Sequence, residues 1–328
     1  MATNFQPRGD IKVIMGSGAK ALGTAHAADD TWNELQVVDY SIEHASAPID
    51  VAPSRSGIYG QVESQGHHRP DTQIYEVTLT MRGTPTAVLK SCLALFGDGA
   101  SASELTSASN TGSMKDGVSN ANQVTLLFAN AGSDSSESTP NDDVVMAGCM
   151  ATQMVIREDV GTNGGEMVVE TTFISAYQPT ETALTPSSTT LDEAAPKNIF
   201  DLSASTLDTE PLVLNNFEIT ISRPLARVHH QNTTDYKPFG YVQTGPYEVT
   251  GSITAKRDDS IHDLIAHIKG DSTGIALSIA ESSGLTISLP DVMIDNSKPE
   301  VSDFLLQTIP FRAFGANEAG NIISITIA

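Results

Sequence analysis

From Tyr75 the chain alternates. Tyr75, Val77, Leu79 and Met81 are apolar, and Glu76, Thr78 and Thr80 stand between them, which is the period of a half-buried strand. The period then lengthens. Thr84 is placed to cap a helix, Pro85 suits its first turn, and Val88, Leu89, Cys92, Leu93 and Phe96 form an apolar stripe that Gly97 ends. The four letters YEVT that open this unit return at 247 to 250. Again Tyr247, Val249 and Ile253 alternate with Glu248, Thr250, Ser252 and Thr254. Ser260 and Asp263 then make a helix start, and Ile261, Leu264, Ile265 and Ile268 form a stripe that runs to Gly270.

The repetition extends both ways. Upstream, QVVDYSIEH (36–44) corresponds to NNFEITISR (215–223), each an alternating strand that ends in a polar loop. Downstream, residues 150–177 form a hairpin pattern turning at Asn163, Gly164 and Gly165, and residues 285–315 form another turning near Asn296. The first copy is longer. Its excess falls in the Ser- and Gly-rich stretches 97–120 and 130–143, which read as surface loops. A Thr-, Ser- and Pro-rich segment separates the copies. The expected fold is therefore mainly β: two tandem β-sandwich or barrel units, each flanked by one α-helix. The boundaries expected are an N-terminal arm at 1–30, a first unit at 31–178, a linker at 179–213 and a second unit at 214–328.

Charge narrows the function. Lys and Arg number 18 against 40 Asp and Glu, a net charge of −22 over 328 residues. Such a chain repels phosphate backbones, which excludes tight nucleic-acid binding. The polar faces of the best strands share one character: Asp39 and Glu43 on the first, Glu76 and Thr78 on the second, Glu218 and Thr220 on the third, Glu248 and Thr250 on the fourth. An antiparallel sheet with one wet face gives this pattern. A shared acidic surface wrapped into a channel gives it too, and would let a polyanion pass without sticking.

The order of elements, from YEVTGSITAKRD through IHDLIAHIKG and FLLQTIPFRAFG to NIISITIA, resembles the tail tube proteins of long-tailed bacteriophages, the major tail proteins. CMATQMVIREDVGTNGGEMVVETTFIS is similar to the corresponding hairpin of that family, and the resemblance spans most of residues 31–328. It implies a structural protein of the virion, a β-sandwich flanked by a helix, whose rings stack into a tube around the path of DNA. The tandem form implies homotrimeric rings with pseudo-sixfold symmetry. Implied partners are other copies, further tail proteins at the tube ends, and DNA that passes during genome ejection without tight binding. Asp39, Glu43, Glu76, Thr78, Glu218, Thr220, Glu248 and Thr250 become the candidate lumen-facing residues. Assembly in the host cytoplasm follows, with no membrane partner: the first residues lack a signal peptide's apolar core, and no apolar run nears the roughly 18 residues of a span.

Nothing catalytic emerges, and neither a cofactor nor a metal is expected. Cys92 and Cys149 sit in apolar settings where a buried thiol is the rule. IKVIMGSGAKALG imitates a phosphate loop, but Lys20 is followed by Ala21 and the glycine spacing is wrong. The pairs His67–His68 and His229–His230 lack a third ligand, His262 and His267 lie on different helix faces, and Asp134, Glu137, Asp142 and Asp143 lack the glycine and terminal Glu of a calcium loop. Alternatives to the tube are another virion protein, sheath or decoration, and a two-domain β-sandwich adhesion module. A single Trp and 5% aromatics offer the latter little to stack on sugars. A hydrolase with paired carboxylates is a further alternative, since such pairs keep no fixed spacing.

Overall fold

The computed structural model describes residues 11–18, 20, 23–44, 49–51, 67–69, 75–96, 104–106, 123–130, 143–175, 177, 179–181, 184–228, 240–256, 274–281, 284–295, 298–301, 305–314 and 322–327. The first half holds β1 (Ile11–Ser17), β2 (Thr31–Leu35), β3 (Val37–His44), a ribbon of β4 (Ile49–Val51) and β5 (His67–Arg69), and β6 (Tyr75–Arg82). Helix α1 (Pro85–Phe96) comes next, then β7 (Glu104–Thr106), β8 (Val124–Asn130), β9 (Val144–Asp159) and β10 (Val168–Ser175). The connecting segment carries four short strands: β11 (Thr180–Glu181), β12 (Thr189–Thr190), β13 (Thr206–Leu207) and β14 (Glu210–Pro211). The second half holds β15 (Leu214–Ser222), a ribbon of β16 (Leu225–Val228) and β17 (Gly240–Gln243), and β18 (Glu248–Lys256). It closes with β19 (Ile275–Ala280), β20 (Thr286–Ile294), β21 (Lys298–Val301), β22 (Leu305–Ala313) and β23 (Ser324–Thr326). The fold is mainly β, as the alternation predicts. The second helix stripe, 261–270, and most of the two polar insertions lie outside the described residues.

The pairings repeat. In the first half the neighbours run β3, β6, β10, β9, all antiparallel. In the second they run β15, β18, β22, β20. Even the register is shared: Thr78 faces Ser41 on one side and Thr172 on the other, while Thr250 faces Thr220 and Arg312. Each half also carries a strand that belongs to two layers. β9 pairs with β8 up to Cys149 and with β10 from Met150 onward. The changeover comes at Gly148, whose φ of +65° and close approach to the Tyr177 ring leave no place for a Cβ. β20 makes the same passage, pairing with β19 and β23 first and with β22 from Val292.

The second layer of the first half contains β2, β1 and β8 beside β9. Residues 11 to 17, read from sequence as part of an arm, are thus an inner strand, with Val13 and Met15 fully buried. Three apolar residues in alternation with Lys12 and Ile14 bury one face, which anchors them. The connecting segment is likewise sewn in, β12 onto β2 and β13 onto β19. At the far end, Ile323, Ile325 and Ile327 are buried and β23 lies between β20 and β7.

What joins the halves is a ladder between β9 and β15, from Gln153↔Ser222 to Asp159↔Asn216. The sheet therefore runs without a break from β3 to β22. Its apolar side faces one core that draws Val77, Leu79, Met154 and Phe173 from the first half and Ile219, Ile253, Ile309 and Ile325 from the second. Helix α1 closes this core. Thr84 accepts from the Ala87 amide at 3.1 Å, as its sequence position predicts, and Ala87, Val88, Cys92, Leu95 and Phe96 are buried. One of the helix's last carbonyls is satisfied from the other half: Tyr247 donates to the Leu95 oxygen at 3.0 Å, and the buried Arg223 guanidinium donates to it as well. A cation there also complements the negative end of the helix.

Candidate functional site

Residues directly opposite in an antiparallel ladder share a face. Followed across the sheet, one row reads Asp39, Thr80, Glu170, Val155, Thr220, Thr250 and Arg312. The next reads Ser41, Thr78, Thr172, Gln153, Ser222 and Glu248. A third holds Arg82, Val168, Arg157, Glu218 and Ser252, and Glu43 faces Glu76 beyond the second. Asp39, Glu43, Glu76, Thr78, Glu218, Thr220, Glu248 and Thr250 therefore all stand on one side of one sheet, opposite the core. Glu76 and Glu248, equivalent in the repeat, lie on the same surface.

This surface is built to stay wet. Cross-strand hydroxyls bond each other, Thr78 with Thr172 at 3.3 Å and Thr254 with Thr308 at 3.0 Å. Such pairs tie strands together. Arginines missed by the sequence reading also occupy this side; carboxylates hold two of them, and the third, Arg312, is exposed. Arg82 grips Glu166 in a fork, with Nη2 at 2.7 and 3.0 Å from its two oxygens, and Arg157 stands 3.6 Å from Glu170. A guanidinium held by a carboxylate is a poor phosphate clamp. An open depression of about 460 Å³ lies where the β9–β15 ladder meets the Asn163–Gly165 turn, lined by Thr80, Arg157, Glu166, Glu218 and Ser252 among others. At the other end the surface is roofed: Ile174 and Met150 are covered by Tyr241 and Leu225 of the β16–β17 ribbon.

The chemistry-bearing residues elsewhere are structural in character. Cys92 and Cys149 are fully buried, and burial pushes the Cys149 thiol up to about 12, so neither offers a thiolate. His26 is buried with Nδ1 2.8 Å from the Thr125 hydroxyl, and burial lowers its pKa. Lys20, from the imitation phosphate loop, pairs with Asp30 at 2.7 Å. Among the described residues no three His, Cys, Asp or Glu side chains stand together as metal ligands, and no helix is long and apolar enough to cross a membrane. His229, His230, His262, His267, Asp134, Glu137 and Asp142 lie outside the described residues.

One buried acid escaped the sequence reading. Glu158 has the parity of the core face of β9, after Met154 and Ile156, and is 2% exposed with neither carboxyl oxygen hydrogen-bonded. Burial, then the charges of Glu281 and Asp201, pushes its pKa up to about 8. Glu281 is itself held by Lys197 at 3.2 Å and by the Leu285 amide at 3.1 Å.

The comparison with curated proteins found no match. The profile of the phage tail tube protein family, in contrast, matches residues 2–313. It takes in both copies of the repeat and all eight residues of the acidic and hydroxyl face, and the chain belongs to that family.

Proposed function

We propose that the chain is the building block of a phage tail tube in which copies assemble into stacked rings, the polar face of the continuous sheet turned inward to line the path of DNA. Family membership supports a structural component of the virion tail and points to a non-enzymatic role. The observation that carries the inward assignment is the single face shared by Asp39, Glu43, Glu76, Thr78, Glu218, Thr220, Glu248 and Thr250. Carboxylates and hydroxyls repel or merely hydrate a polyanion, and Arg82 and Arg157 among them are paired with carboxylates. Two tube units per chain give three chains a pseudo-sixfold ring.

The test changes the sign of the wall. Glu76→Lys with Glu248→Lys leaves the core untouched and adds phosphate-binding charge. Particles carrying the double variant are expected to assemble but to deliver DNA several-fold less well, the defect easing as salt rises. Assembly together with normal delivery at low salt would remove the inward assignment.

A further inference from the structure

The segment that connects the two halves is fastened on both sides. Toward the first half, the Lys197 amide donates to the Gly83 carbonyl at 3.0 Å, and the Lys197 carbonyl accepts from the Met167 amide at 2.8 Å. Toward the second, the Ala204 amide donates to the Ala280 carbonyl at 3.1 Å, and Ser205 Oγ accepts from the Ala280 amide at 3.1 Å. Between these points lies one turn of 3-10 helix, Ile199–Asp201, capped by Asn198, whose side chain accepts from the Phe200 amide at 3.1 Å. An element this short draws little stability from its own backbone, so its order depends on what it covers.

The turn touches β15, the strand whose Phe217 lies opposite Glu158. Glu158 is 2% exposed, and neither carboxyl oxygen has a hydrogen bond among the described residues. Burial without a partner holds such a side chain as the neutral acid. The charged groups that face it are acids: Asp201 from the 3-10 turn, and Glu281 just past β19. Glu281 is held in turn by Lys197 Nζ at 3.2 Å and by the Leu285 amide at 3.1 Å. β15 adds no charge there, and Arg157 and Asp159, the neighbours of Glu158 in β9, have the other parity and bond Glu170 and the Gly161 amide. The cover fits tightly. A Cβ at Gly284, where φ is +131°, would lie 2.4 Å from Glu281 Oε2 and 2.7 Å from Lys197 Nζ.

We infer that Glu158 is a proton-operated catch: as the neutral acid it lets the connecting segment and the Glu281–Leu285 turn close over the join of β9 with β15, and when the segment lifts it gives its proton to water. Opening is thus coupled to the release of one proton. The device belongs to the single chain and stands apart from the tube reading. Closed, the acid has a pKa of about 8; open to water it returns to its ordinary 4.5. The proton's contribution to closure is therefore complete below about pH 4.5 and is lost as pH rises to about 8, the opening equilibrium growing about tenfold per unit. Above about pH 8 both states are ionised and the dependence ends.

Hydrogen exchange of the full chain, divided by each amide's intrinsic rate, tests the catch. Protection of the Ala204 and Asp208 amides, which bond the Ala280 and Ala276 carbonyls, is expected to lie below that of β10. It should fall about tenfold per unit from about pH 5 to about pH 8 and level off above. Glu158→Gln keeps the shape of the neutral acid with no proton to release, and should remove the slope while the segment stays protected. The wild-type profile decides on its own if that variant does not fold. Protection that is flat with pH in the wild type, or that falls equally in Glu158→Gln, would overturn the catch. So would exchange of both amides at the rate of β10, because the segment then opens only with the whole fold.

Discussion

β3 and β15 are counterparts in sequence and in pairing, yet among the described residues β3 has one neighbouring strand and β15 has two. Their polar residues serve alike, Asp39 and Glu218 on the same surface. Their apolar residues do not: Tyr40 and Ile42 are partly open where Ile219 and Ile221 are fully buried. What differs is the neighbour, because β15 has β9 on its second side. A repeated sequence therefore teaches what an element is, and pairing decides how much of it is covered. The same contrast appears at the helix. Leu95 closes α1 with a carbonyl that Tyr247 and Arg223 of the other half satisfy, so the first half alone leaves that end unfinished.

The largest expected effect comes from placing one charge at each of the two counterparts. Ile221→Asp buries an unpaired carboxylate and should cost several kcal/mol, enough to prevent folding, as chemical denaturation would report. Ile42→Asp, at a side chain already partly exposed, should change stability by no more than about 0.5 kcal/mol. Next comes Gly251, the counterpart of Leu79. A Cβ there would lie 2.3 Å from the Glu218 carbonyl and 2.6 Å from the Phe311 ring, which fills the missing side chain's space. Gly251→Val is expected to destabilise by about 3 kcal/mol, whereas Leu79→Val, at the other half's equivalent site, should cost about 1 kcal/mol. Equal losses in thermal melts would break the comparison.

Smaller over any one pH unit is an effect of titration. Glu158 has a folded-state pKa raised to about 8 from an ordinary 4.5, so burial favours its neutral form. Its contribution to stability is intact below about pH 4.5 and is lost as pH rises to about 8, at no more than about 1.4 kcal/mol per unit. Melting temperature should fall across that window in the wild type, and Glu158→Gln should flatten the slope. An unchanged slope would show that Glu158 ionises freely at neutral pH. Least of all, Thr78→Val removes one cross-strand hydroxyl pair and should shift stability by under about 1 kcal/mol, with drier packing on that face as its main consequence.

Much of this was legible in the chain. Alternation through Val77, Leu79 and Met81 placed Glu76 and Thr78 on the wet side, and the echo at 247 to 250 placed Glu248 and Thr250 with them. The turn at Asn163 to Gly165 was legible because positive φ is demanded there and supplied by Asn and Gly. Other features were hidden. The ladder of β9 with β15 joins strands separated by the whole connecting segment, and periodicity holds no record of which strands adjoin. Arg82 and Arg157 escaped notice because they sit at strand ends, where alternation fades. Glu158 has the parity of a core residue, and only the burial of its surroundings identifies it as an acid held neutral. Arg223, one residue past β15, looked like loop polarity until the end of α1 was seen against it.

The central claim is that one sheet face, continuous across the repeat, becomes the inner wall of a tube. Electron cryomicroscopy of the assembled particle tests it most directly. The account predicts rings in which Glu76 and Glu248 point to the axis. A tube whose acidic face points outward would contradict it.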